Sequence, residues 1–218
     1  MDIVIGNTGR RDRGTMSLRY ALMTLLTAGP VTGYDAAKRF SGSVGHVWHA
    51  PDSQIYPELR RMQTDGLIEG EQVRWGPRST KTRYHLTDTG LDDFRRWMST
   101  PPGHAAERDV HRMQAAYLEW TDPEHALAIL REHVEYFTEQ VDMYTAIRDG
   151  IEARTDPAIR RRLETRPEYE HDKIVAYKVF SYSGMIARAR SEIEWATAGI
   201  ELVRQLEAAD STDGSPQM

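Results

Sequence analysis

The sequence contains no cysteine, which excludes a disulfide framework, thiolate zinc sites and a cysteine nucleophile. It also lacks any apolar segment close to the roughly 20 residues of a membrane-spanning helix, and its first fourteen residues hold no apolar run of signal-peptide length. Hydrophobic residues make up 39% of the 218 residues, and the mean hydropathy is -0.62. We therefore expect a globular, cytoplasmic protein without membrane association.

Sequence motifs typical of enzymes are missing as well. The chain has no G-x-x-x-x-G-K-[ST], G-x-G-x-x-G, H-E-x-x-H or G-x-S-x-G pattern. His46 and His49 stand close together, but without a neighbouring carboxylate pair or cysteine, so a surface role is favoured over metal binding. The sequence predicts no enzyme, no cofactor and no metal site.

Charge is distributed unevenly along the chain, although the net charge is -5. Residues 1–100 carry 14 lysines and arginines against 11 acidic residues, net +3, whereas residues 101–218 carry 14 against 22, net -8. The segment "STPPGHAAE", residues 99–107, has the composition of a hinge. We predict a disordered arm (1–14), a first domain (15–100), a second domain (101–210) and a disordered tail (211–218), with Met16 as an alternative translation start.

The first domain begins with the signals of three helices. A helix is predicted from Ser17 as N-cap to Gly29-Pro30, and Thr32 opens a second helix. In "DSQIYPELRRMQT" the apolar residues Ile55, Leu59 and Met62 recur at helical spacing.

The third helix has a polar face opposite that stripe, formed by Ser53, Pro57, Arg60 and Thr64 with flanking Gln54, Tyr56 and Arg61. With Asp52 or Ser53 as N-cap, Pro57 falls at the end of the first turn, where a missing N–H forfeits only about one bond.

A hairpin and a closing helix complete this domain. "LIEGEQVRW" and "KTRYHLT" bracket a turn, and on the second strand Lys81, Arg83 and His85 alternate with packing residues, which predicts one basic face. Thr87 caps a last helix that carries Leu91, Phe94 and Trp97 or Met98. The predicted fold is mainly α: a winged helix-turn-helix of three helices plus a β-hairpin wing, followed by an all-helical C-terminal domain.

The chain resembles the PadR family of transcriptional regulators in three stretches: "LRYALMTLLTAGPVTGYDAAKRF", "VWHAPDSQIYPELRRMQTDGLIEG" and "TRYHLTDTGLDDFRRWM". The resemblance is strong from Ser17 to Met98 and implies a dimeric repressor with a C-terminal helical dimerisation domain. The fourteen residues before Thr15 depart from the family pattern. The DNA-contacting roles that the resemblance implies fall on Tyr34, Ser53, Gln54, Tyr56, Arg60, Lys81 and Arg83.

The second domain reads as long amphipathic helices, because apolar residues from Ala126 to Ile151 keep near-heptad spacing and a last helix runs from about Tyr169 to Ala208. Such helices need partners, so a homodimer is expected. Six aromatic residues of this domain form either dimer core or the wall of a cavity for an aromatic small-molecule effector. They are Tyr136, Phe137, Tyr144, Tyr177, Phe180 and Trp195.

The predicted function is sequence-specific binding of a pseudo-palindromic operator in double-stranded DNA by a dimeric repressor that a small-molecule effector releases. The alternative is a protein-interaction or ligand-binding helical dimer in which the winged helix is incidental, since a fold does not fix a function. The sequence names neither the operator nor the regulated genes.

Overall fold

The computed structural model describes residues 12–40, 50–76, 79–103 and 108–213, and the chain divides into two compact units between Gly103 and His104. His46 and His49 lie outside the described residues. Of the predicted arm, only its last three residues are described, and of the predicted tail, residues 211–213.

The first unit combines helices with a small antiparallel sheet. In chain order its elements are α1 (Asp12–Leu26), β1 (Val31–Thr32), α2 (Gly33–Arg39), α3 (Asp52–Thr64), β2 (Ile68–Trp75), β3 (Ser79–Leu86) and α4 (Asp88–Met98). The strand order is β1-β3-β2, and the β2–β3 hairpin runs in register from Ile68 opposite Leu86 to Trp75 opposite Ser79. The predicted winged helix-turn-helix is confirmed.

Local capping residues determine where several of these helices begin and end. The Thr32 hydroxyl accepts a bond of 3.1 Å from the Asp35 N–H, and the Thr87 hydroxyl accepts one of 3.0 Å from the Gly90 N–H. Gly66 follows α3 with a φ of 70°, a left-handed conformation that glycine adopts without strain. These starts and stops are the ones that the sequence predicts.

Two predicted helix starts are wrong. The α1 helix begins at Asp12, five residues before Ser17, since a serine inside a helix costs at most about 0.7 kcal/mol relative to alanine and does not end it. The α3 helix has Pro51 as N-cap, without a side-chain bond. Pro57 is therefore the sixth helical residue, and the bond it cannot make is to the carbonyl of Ser53. Both residues are exposed.

One hydrophobic core fills the space between α1, α2, α3 and the sheet. Phe40, Leu22, Met23, Ile55 and Leu59 are its largest fully buried members. On α4, Trp97 rather than Met98 packs toward α1, with its ring stacked on Tyr20 at 4.6 Å between centroids, while Met98 is 63% exposed. Packing against this core fixes the position of α3 and leaves its polar face exposed.

The second unit is helical throughout its described part. Its elements are α5 (Val110–Ala115), a 3-10 turn (Leu118–Trp120), α6 (Pro123–Glu152), α7 (Pro157–Glu164), a 3-10 turn (Glu168–Glu170) and α8 (His171–Asp213). Asp122 caps α6 by accepting from the His125 N–H at 3.0 Å, as its place before a proline predicts. The prediction of a helical second domain is confirmed.

The lengths of two helical segments differ from the prediction. The predicted break after Ile151 contains α7, which packs Ile159 and Leu163 beside Tyr182. The α8 helix continues five residues past Ala208, because Ala209 favours a helix and no glycine or proline intervenes before Gly214. Within the described part of the chain, no helix has both the length and the apolar character needed to cross a bilayer.

Candidate DNA-binding surface

The α3 helix separates a buried stripe from an exposed polar face. Ile55, Leu59 and Met62 are at most 1% exposed. The predicted contact residues Ser53, Gln54, Tyr56 and Arg60 are all exposed. Their side chains are therefore free to meet a partner, which is the role of a recognition helix in a winged helix-turn-helix.

Glu58 is a buried carboxylate on α3 that is not among the residues predicted from the sequence. It is 1% exposed and forms ion pairs with Arg19 of α1 at 3.0 Å and with Arg61 at 3.3 Å. Although burial lowers the pKa of Arg19, its bonds to Glu58 and Asp65 prevail and raise that pKa. Glu58 stands three residues after Ile55, on the side of the apolar stripe, and this position is the sequence signal that predicts the burial of Glu58. The pairs fix the orientation of α3 against α1.

The wing carries fewer free cations than the sequence predicts. Arg83 is paired with Glu71 at 2.5 Å, and His85 lies 3.6 Å from Glu69. These acidic residues sit directly opposite in the hairpin register. The prediction of a basic face is therefore wrong, because cross-strand neighbours share a face and β2 places acidic residues opposite Arg83 and His85. The prediction that the alternate residues of β3 pack is confirmed, since Tyr84 and Leu86 pack against the core.

Lys81 is held differently from Arg83. Its ammonium nitrogen lies 3.4 Å from the centroid of the Trp75 ring and 4.9 Å from that of the Tyr34 ring. Among the described residues no carboxylate pairs with Lys81. Its positive charge is thus retained at the surface of the wing.

Side chains from three elements meet in one open groove of about 280 Å³. Tyr34 comes from α2, Tyr56 and Arg60 from α3, and Lys81 from β3. The groove is also lined by Thr32, Gly33, Thr82 and Tyr84. Four of the seven predicted contact residues therefore converge, whereas Ser53, Gln54 and Arg83 do not line the groove.

Gly33 permits the close approach of α2 and α3 at this groove. A β-carbon at this position would stand 2.9 Å from the Tyr56 ring and 3.8 Å from Leu59. Any larger residue would displace Tyr56 or push the helices apart.

The groove lining combines hydrogen-bonding groups with cations, which suits it to phosphate oxygens and base edges.

The aromatic residues of the second unit do not form one common cavity wall. Tyr136, Tyr177 and Phe180 are 56%, 66% and 77% exposed in the single chain. Trp195 borders a cavity of about 10 Å³, enough for one water molecule at most. The exposed rings favour the dimer-core interpretation.

A buried polar network lies beside that cavity and is not among the features that the sequence predicts. The Glu192 carboxylate is bonded to Arg112 at 2.8 Å and to the buried His133 ring at 3.2 Å. Burial opposes its ionisation, but the bonds from Arg112 and His133 prevail and lower the pKa of Glu192. The network ties α5, α6 and α8 together.

Comparison with known proteins agrees with this geometry. Residues 22–96 match the model of the "Transcriptional regulator PadR-like family". The "Negative transcriptional regulator PadR" of Bacillus subtilis (strain 168) is 37% identical over 81 residues, which are 37% of this chain and 44% of that protein. The "Probable transcriptional regulator Rv1176c" of Mycobacterium tuberculosis is 33% identical over 86 residues, 39% of this chain and 46% of that protein. The matches thus span less than half the length of these relatives.

Solved structures extend the likeness to both units. Bacillus subtilis PadR in complex with operator DNA has a TM-score of 0.68 at 21% identity, covering 86% of this chain and 99% of that one. The same protein with p-coumaric acid has a TM-score of 0.63 at 20% identity, covering 87% and 97%. The Vibrio cholerae virulence activator AphA has a TM-score of 0.63 at 23% identity, covering 87% and 99%. At these identities the structures establish the fold of the chain.

Proposed function

We propose that this chain, whose residues 22–96 belong to the PadR-like family of transcriptional regulators, is a dimeric, sequence-specific DNA-binding repressor of the cytoplasm. One observation carries the proposal: Tyr34, Tyr56, Arg60 and Lys81, on three separate elements, converge in one open groove on the exposed side of α3. Aromatic hydroxyls and cations together suit a polyanion with hydrogen-bonding edges.

The charge distribution supports the same function. Net +3 over residues 1–100 favours a polyanion, and net -8 over residues 101–218 does not. DNA therefore binds to the first unit. The second unit forms the dimer interface through its exposed aromatic residues.

A two-fold symmetric dimer with one α3 per chain requires a pseudo-palindromic operator. The centres of its half-sites should lie about 34 Å apart, or a multiple of that distance. The proposal is tested by incubating the full chain with sheared genomic DNA, sequencing the retained fragments and footprinting the enriched ones. Symmetric protection of two half-sites is expected. No enrichment, or protection of one unsymmetrical half-site, would contradict the proposal.

An aromatic small molecule is proposed as the effector that releases the operator. The support is the solved complex of Bacillus subtilis PadR with p-coumaric acid, a protein whose fold this chain shares. A coupling of about 1 to 3 kcal/mol between the two sites would change operator affinity roughly 5- to 150-fold. Titrating a panel of aromatic acids into the protein–operator complex tests this.

The alternative, a protein-interaction or ligand-binding dimer with an incidental winged helix, makes a different prediction. Such a protein needs no exposed cations on α3, and replacing Arg60 would leave its activity unchanged. Retention of no genomic DNA by a folded dimer would favour this alternative.

A further inference from the structure

We propose that Trp75 is a positioning residue that, with the Tyr34 ring, holds Lys81 at the mouth of the groove for a DNA phosphate. The inference rests on the proposed function, because it takes Lys81 to be a DNA contact. Neither the resemblance nor the sequence pattern assigns any role to Trp75.

The geometry is that of a cation held between two aromatic rings. The Lys81 ammonium nitrogen lies 3.4 Å from the Trp75 ring centroid and 4.9 Å from the Tyr34 centroid, both within the distance of a cation–π contact. Because one ring belongs to the wing and the other to α2, the lysine joins the wing to the helical part of the groove.

The backbone fixes Trp75 itself. It is the last residue of β2, opposite Ser79, and the Ser79 hydroxyl donates to the Trp75 carbonyl oxygen. Gly76 then begins the turn with a φ of 73°. The indole is 52% exposed and shares a sheet face with Lys81, whose ammonium group lies over its ring.

An aromatic support changes what a lysine does at a DNA surface. A free lysine loses the rotamer freedom of four bonds when it contacts a phosphate, whereas a lysine already held by two rings loses less. A ring face engages the charge without consuming the three N–H donors in directed bonds, so these remain available to phosphate oxygens. Arg83 on the same strand lacks this arrangement, because Glu71 already occupies its guanidinium.

The test compares full-length Trp75→Leu, Trp75→Phe, Lys81→Ala and the Trp75→Leu/Lys81→Ala double variant for binding to the fragment enriched from genomic DNA. Trp75→Leu should weaken binding roughly 2- to 12-fold, the loss expected when one side chain is no longer ordered before binding, while Trp75→Phe should lose less than Trp75→Leu. In the Lys81→Ala background, Trp75→Leu should change the affinity by less than about twofold. Thermal unfolding of each variant verifies that the first unit is folded.

Equal losses from Trp75→Leu in both backgrounds would overturn the proposal, since Trp75 would then contact DNA itself. Unchanged affinity of Trp75→Leu would also overturn it. A folded wild-type chain that retains no DNA would overturn the proposed function and this inference together, so the two failures are distinguishable.

A measurement without DNA tests the geometry independently. The sequence has four lysines, Lys38, Lys81, Lys173 and Lys178, so selective ¹³Cε labelling gives four signals, and Lys81→Arg assigns one of them. Stacked rings should shift the Lys81 ε-protons to lower frequency than those of the other lysines. Trp75→Leu should remove most of that shift, and Trp75→Phe should keep part of it. A Lys81 signal that coincides with the others in the unchanged protein would contradict the arrangement.

Discussion

Arg60 and Arg61 are neighbours in sequence with different surroundings. Arg60 lines the groove, whereas Arg61 is bonded to the buried Glu58. Under the proposed function the Arg60 guanidinium contacts a base edge, and we therefore expect Arg60→Ala to relax the preference for one base pair by about 1 to 3 kcal/mol. Affinities for the operator and for single-base variants of it measure the change. Thr64→Ala, on the same face but outside the groove lining, is the control, and equal losses on operator and random DNA would mean that Arg60 reads no base.

Lys81 and Arg83 allow a matched comparison on one strand. Lys81→Ala should weaken binding to all DNA sequences alike and lower the slope of log affinity against log salt by roughly one, as expected for a lost phosphate contact. Arg83→Ala should lower the slope less, because Glu71 already neutralises its charge at 2.5 Å. Titrations at several salt concentrations give both slopes. A larger effect for Arg83 would show that Glu71 releases it on binding.

Tyr182 gives the second unit a dependence on alkaline pH. Burial, with smaller effects of Asp156 and Tyr144, raises the pKa of Tyr182 to about 12. Because the folded pKa exceeds the unfolded value of about 10, the stabilisation is complete below pH 10 and is lost as the pH rises through 12. The unfolding temperature should therefore fall more steeply between pH 10 and 12 for the unchanged protein than for Tyr182→Phe. Parallel curves would contradict the burial of this hydroxyl.

At the scale of elements, the junction between α3, β2 and α4 depends on a glycine. A β-carbon on Gly90 would stand 1.9 Å from the Leu67 carbonyl oxygen, which is backbone and cannot move aside like a flexible side chain. Gly90→Ala should therefore destabilise the first unit by several kcal/mol, on the order of the larger single-residue effects. Gly103→Ala, where nothing lies within 4 Å of the added atom, is the control. Denaturant unfolding of both variants gives the comparison, and equal stabilities would mean that α4 shifts freely.

The α8 helix carries the association of two chains in this proposal. Tyr177 and Phe180 are three residues apart on one face and are 66% and 77% exposed in a single chain. Such apolar exposure is typical of a surface that a partner covers.

At the scale of the whole molecule, we expect Phe180→Glu to convert the dimer to a monomer and to weaken operator binding about 100-fold or more, because two linked half-site contacts become one. Light scattering measures the mass, and operator titration measures the affinity. Lys173→Glu, which changes charge on the same helix, is the control. A dimeric Phe180→Glu protein would place the interface elsewhere, and a monomer with full affinity would refute the two-half-site mechanism.

Local signals in the sequence by themselves determined the order of elements. These signals act within a few residues of chain and can therefore be recognised in the sequence. They are the capping residues Thr32, Thr87 and Asp122, the helix stop at Gly66 and the apolar spacing on α3. Four of the groove residues were likewise predictable, because each lies on a predictable face of a predictable element. Local signals do not determine a helix boundary that lacks a unique marker. The starts of α1 and α3 and the end of α8 therefore differ from the predicted positions.

Only the tertiary structure decided which charges remain free. Glu71 forms an ion pair with Arg83 across the hairpin, and Glu58 of α3 forms one with Arg19 of α1. Lys81 lies between two rings from different elements. Each partner stands six or more positions away in the sequence, where helical or strand periodicity carries no information about distance. The chemistry of this surface thus depends on long-range packing, although the elements that present it follow from local physics.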